Sequence, residues 1–208
     1  MTATAGKVVR EGSAVKRTAI LVAARDLFLA DGYERTSVDA VSAKAGVSKR
    51  TVYDYFGDKR GLLLAVVEQS GEALMRTVRA AIDEELLLDR DLEVSLTAFT
   101  TRIVSTVGSV EYAGVIRLVV AEAAHLPALG EHWLAHAPED AVAERLAELG
   151  RRGLLEVPDP RLAADHLIAL TFGMVQNRME LPSLSAPGVE RLLVEGVRAF
   201  LRAYRPRG

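Results

Sequence analysis

AGVSKRTVYDYFGDKRGLL, Ala45 to Leu63, decides the fold of this 208-residue chain. Gly46 can take the left-handed conformation that ends a helix, and Ser48 stands where an N-cap is needed. Val52 and Phe56, four residues apart, give the next helix one apolar side. Gly57 closes that helix and Asp58 caps another. Two basic pairs, Lys49-Arg50 and Lys59-Arg60, fall just inside helix starts, where partial positive charge mildly disfavours cations. A negative partner would make that placement favourable.

Working outward, the apolar residues Ile20, Leu21, Ala24, Leu27 and Phe28 recur at spacings of three and four, which predicts a helix from Ser13 to Ala30, with Gly32 as its stop. Thr36-Ser37 supplies a second cap, with Asp39 three residues beyond Thr36 in a near capping box. Val38, Val41 and Ala45 mark an inward stripe. A short helix, a tight turn with glycine at its second position and another short helix form the pattern of a helix-turn-helix. In that motif the second helix enters the DNA major groove with its N-terminal residues leading. Those residues are Lys49, Arg50 and Thr51. Val52 and Phe56 fix the buried face and leave Tyr53 and, more obliquely, Tyr55 free to donate a hydroxyl to phosphate. Lys59 lies beside the freed N–H groups of the fourth helix, a second place for a phosphate. A solvated face would explain an isolated Lys-Arg pair; the turn, the caps and the two tyrosines together favour nucleic acid.

Half of the residues are hydrophobic, as in a globular protein, and there is no cysteine to form a disulfide or a thiolate. The net charge of −2 is unevenly spread: residues 1–60 hold 11 Lys and Arg against 7 Asp and Glu, and the remainder hold 15 against 21. No apolar run reaches the ~20 residues of a membrane span, since Arg117 and Glu122 interrupt the longest candidate, 115–124. The first residues lack the apolar core of a secretory signal, so a cytoplasmic protein is expected, without a membrane partner. Residues 1–12 show no periodicity and are expected to form a flexible arm, either tracking the minor groove or frayed.

From Ala19 to Leu64 the sequence resembles the TetR family of bacterial transcriptional regulators, through ILVAARDLFLADGYERTSVDAVSAKAGVSKRTVYDYFGDKRGLL with its AGVS turn, its Tyr53-x-Tyr55-Phe56 segment and the following Lys59. The resemblance implies an all-α fold: a three-helix DNA-reading head over residues 13–60 and a larger ligand-binding and dimerising body over 61–208. It implies phosphate contacts from Thr36 or Ser37, Tyr53, Tyr55 and Lys59, and base reading by Lys49, Arg50 and Thr51. Tyr55 stands where many relatives have histidine, and Asp39 would repel phosphate if it faced DNA.

Beyond the head, one long helix is predicted from Asp58 to Glu85. All seven prolines lie past residue 126 and divide the second half into helical blocks. The stretch Arg117 to Pro138 resembles the body of AefR-like and AcrR-like members. Pro160 to Leu181 is apolar on most faces, and the final helix carries Val189, Leu193, Val197, Phe200 and Tyr204 at helical spacing. These residues suit an intramolecular core or a partner. The resemblance implies a homodimer through these two helices, reading a palindromic double-stranded operator whose half-sites lie one DNA turn, roughly 34 Å, apart.

Tyr112, His125, Trp133 and Gln176 are polar groups that could orient an apolar or aromatic effector in the body. No cofactor is expected. Two rivals stand beside the regulator: a metal-binding or enzymatic protein using His132 and His136, spaced i, i+4, and an architectural DNA-binding protein. HWLAH lacks the internal glutamate of HExxH, and an architectural protein would need more positive charge. The expectation is therefore a non-enzymatic, ligand-responsive repressor.

Overall fold

The computed structural model describes residues 3–87, 90–134, 138–175 and 186–206, and among them every regular element is helical. The helices are α1 (Ala3–Asp31), α2 (Val38–Ala45), α3 (Lys49–Phe56), α4 (Lys59–Glu85), α5 (Leu92–Val107), α6 (Val110–Glu122), α7 (Pro127–Leu134), α8 (Glu139–Arg151) and α9 (Pro160–Ile168). A π-helical turn (Ala169–Gly173) follows α9, and α10 spans Ala186–Tyr204. The all-α expectation holds. Two compact units emerge, one of Met1–Gly71 with Ala113–His136 and the other of Glu72–Tyr112 with Ala137–Gly208.

The first unit is built on the expected caps. Ser37 and Ser48 sit in extended backbone and accept from Ala40 N–H and Thr51 N–H, both at 3.1 Å. Gly46 ends α2 at φ 67°, a left-handed conformation that a side chain would strain. Asp58 caps α4 by accepting from Gly61 N–H at 2.7 Å. Ile20, Leu21 and Phe28 of α1, Val41 of α2, Val52 of α3 and Leu62 of α4 are buried together. Phe56 packs against them, half-buried.

Two features lie outside what the sequence alone indicated. The segment 1–12, expected to be a flexible arm, is helical from Ala3 onward and continuous with α1. It holds no proline, and adding a residue to an existing helix is far less costly than nucleating one. The compact units also differ from a division at residue 60: Val115, Leu118, Val119 and Leu129 of the 113–136 segment are buried in the same core as α1–α4. Gly114 allows this approach, since a Cβ there would lie 2.9 Å from Leu29 Cδ2.

In the second unit Leu146 and Leu149 of α8, Leu167 of α9 and Phe200 of α10 are fully buried. The helix predicted over Pro160–Leu181 is α-helical to Ile168 and then widens into the π-helical turn, where the Thr171 hydroxyl donates to Leu167 O at 2.6 Å. Val104, Val175 and Leu193 join in a further apolar cluster with Phe172, Val189 and Leu192 packed on it. Among the described residues no single helix is long and apolar enough to cross a membrane.

Candidate nucleic-acid interface

The outer side of the helix-turn-helix follows from its inner side. With Val52 only 1% exposed, α3 cannot rotate, and Arg50 and Tyr53 are turned to solvent. The Arg50 side chain is 89% exposed, 3.9 Å from Asp54 one turn along the same helix. Tyr53 is 41% exposed. Thr51 is half-buried, its hydroxyl 2.8 Å from Ser48 Oγ, so it is tied to the cap. Ser37 is exposed, and while its oxygen accepts from Ala40 N–H its hydroxyl proton remains available to a phosphate.

Two of the expected phosphate contacts do not fit their surroundings. Thr36 is 3% exposed, and its hydroxyl is shared between Gly32 O at 2.8 Å and Leu27 O at 3.2 Å. It fastens the α1–α2 turn, and Ser37 alone of the pair faces outward. Tyr55 is half-buried: Ser13 Oγ lies 2.6 Å from its phenol oxygen, and that phenol donates to Ser13 O at 3.1 Å. Its hydroxyl ties α3 to α1.

Lys49 and Lys59 are cationic but engaged. Lys49 Nζ donates to Asp39 Oδ2 at 2.9 Å, and this carboxylate holds the ammonium above the ordinary lysine range. Asp39 therefore faces the same side as the leading residues of α3, where Lys49 partners its charge. Lys59 Nζ donates to Glu34 O at 3.1 Å and lies 4.3 Å from the centre of the Tyr33 ring. Burial raises the Tyr33 phenol above its ordinary range, so the ring stays neutral and its face suits a cation. Arg17 similarly lies 5.7 Å over Phe56. Sequence reasoning missed the roles of Ser13 and Tyr33, since neither carries a local pattern.

The effector candidates are scattered. Tyr112 is buried in the second unit, where burial pushes its phenol well above the ordinary range and Glu139 adds to the shift. His125 is exposed in the turn after α6, in the first unit, and is poorly placed to hold an enclosed ligand. Gln176, His136 and the side chains of His132 and Trp133 lie outside the described residues. Among the described residues no three His, Asp or Glu side chains gather to hold a metal ion.

Residues 20–66 match the family of bacterial regulatory proteins of the tetR type, and residues 94–206 match the C-terminal domain of AefR-like transcriptional repressors. A TetR-family transcriptional regulator from Mesorhizobium loti shares 30% identity, with 93% of this chain and 98% of that one covered at a TM-score of 0.87. The flavonoid-responsive regulator FrrA shares 28% identity over 93% of this chain and 98% of that one, at a TM-score of 0.71. The transcriptional activator FasR of Mycolicibacterium smegmatis is 36% identical over 67 residues, 32% of this chain and 31% of its own. The match thus spans under a third of that curated relative.

Proposed function

The chain belongs to the TetR family of bacterial transcriptional regulators, and from that membership we propose a cytoplasmic homodimer that represses transcription at a palindromic operator until a small effector binds. One observation carries the DNA-reading part: α3 is capped by Ser48, pinned by Val52, and presents Lys49, Arg50 and Tyr53 outward at its leading end. In the major groove Lys49 and Arg50 would meet base edges, guanine above all, while Tyr53 and Ser37 bond phosphate. Lys59 has N–H donors beyond the one given to Glu34 and adds a phosphate contact.

Dimerisation through the π-helical segment and α10 is supported by apolar side chains that stay only half-buried although they pack on the chain's own Val104–Val175–Leu193 cluster, Phe172 and Leu192 among them. An apolar or aromatic effector is supported by the buried phenol of Tyr112, which remains a neutral hydroxyl at physiological pH, and by the relative described as flavonoid-responsive. Effector control requires only that the ligand prefer one head separation. A tenfold change in operator affinity corresponds to about 1.4 kcal/mol of differential binding.

The test is fluorescence anisotropy on a duplex selected from a random pool, repeated over a salt series. Affinity should fall steeply with salt, and Arg50→Ala should change which sequences are selected. An affinity indifferent to salt would overturn the reading.

A further inference from the structure

The two helices of the helix-turn-helix are joined at their outer side by an ion pair, Lys49 Nζ to Asp39 Oδ2 at 2.9 Å. Asp39 lies in the first turn of α2, a favourable end for a carboxylate, and Lys49 is the first residue of α3. With the side chains 48% and 69% exposed, the pair does little for folding stability. It nevertheless occupies the place where a base-reading cation is wanted.

We propose that Asp39 is a specificity determinant of DNA reading, holding Lys49 toward base edges and penalising its diversion to the phosphate backbone. The inference rests on α3 entering the major groove, as set out above. An ammonium has three N–H donors, so Lys49 can keep Asp39 and still donate to the O6 or N7 of guanine. The carboxylate can in turn accept from the amino group of a neighbouring cytosine. The right sequence preserves the pair and adds partners to both members. A phosphate that draws Lys49 away leaves Asp39 unpaired within the field of a polyanion, and the repulsion grows as water is displaced from the interface. Any sequence without a suitable base edge must either break the pair or forgo Lys49. Arg50 differs, because its carboxylate neighbour Asp54 is 3.9 Å away on the same helix.

The experiment compares the wild-type chain, D39N, D39E, K49M and D39N/K49M by anisotropy, over a salt series. Two duplexes are used: one selected from a random pool by the wild-type protein, and a scrambled one of equal composition. D39N should tighten binding to the scrambled duplex and lower discrimination about tenfold, with a scrambled-duplex salt slope steeper by about one phosphate equivalent. D39E should keep most of the discrimination. In the K49M background, D39N should leave discrimination unchanged. The proposal is overturned if D39N shifts both duplexes equally, if it weakens both alongside a lower melting temperature, or if it lowers discrimination without Lys49. Wild-type binding that ignores salt would instead overturn the entry of α3 into DNA.

Discussion

Tyr53 and Tyr55 are two residues apart on α3 and chemically identical, yet their surroundings give them different work. Tyr53→Phe should leave stability unchanged and weaken binding to all duplexes, because the residue is exposed at the outer side of α3. Tyr55→Phe should lower unfolding free energy by about 1 kcal/mol through loss of the Ser13 bonds. Urea denaturation and anisotropy separate the two effects, and the assignment fails if the variants behave alike. Thr36→Val follows the same logic. With its hydroxyl bonded to Gly32 and Leu27 carbonyls, the change should cost about 1 kcal/mol and leave the DNA affinity of the folded protein intact. Sequence could not separate Thr36 from Ser37, since both are good caps; Thr36 is the one that turns inward because the Gly32 and Leu27 carbonyls receive its hydroxyl, and Leu27 lies nine residues back along the chain.

Helix boundaries were legible wherever the signal was local. Ser48, Gly46 and the Val52/Phe56 pair act within one turn of their own position, and the structure uses them as read. The π-helical turn was not legible, because Ala169–Gly173 has ordinary helical composition and the widening coincides with contact from another helix. That contact is close: a Cβ on Gly196 of α10 would lie 2.1 Å from Leu170 O. At the start of α4, a Cβ on Gly61 would lie 2.1 Å from Phe56 O. Replacing a helical glycine by alanine ordinarily stabilises by up to about 1 kcal/mol. Gly130, in α7 with nothing within 4 Å of its added Cβ, should follow that rule. Gly61→Ala and Gly196→Ala should reverse the sign, each costing about 2–3 kcal/mol as backbone is forced apart. Denaturant midpoints of the three variants give the comparison, and a stabilised G61A would mean that the α3–α4 junction is looser than described.

Across the whole molecule the carboxylates set an acid limit. Hydrogen bonds from Lys44, Arg102 and Arg145 hold Asp26, Glu84 and Glu148 below the ordinary carboxylate range. The folded chain then binds fewer protons than the unfolded one near pH 4, so these groups stabilise at neutral pH and the contribution fades as pH falls through their folded values. Urea midpoints should be level from pH 7 to about 5.5 and decline below about 4.5; a level profile down to pH 3 would contradict the pairing. The largest feature hidden from sequence lay at this scale. Val115, Leu118, Val119 and Leu129 carry a helical apolar pattern that names no partner, and only the folded chain joins them to a core begun almost a hundred residues earlier. Transplantation is the practical consequence. A chimera carrying only residues 1–71 of this regulator would part Phe28, Leu62 and Val66 from the Val115, Leu118, Val119 and Leu129 side chains of their shared core, whereas grafting 113–136 along with them would carry that core across whole.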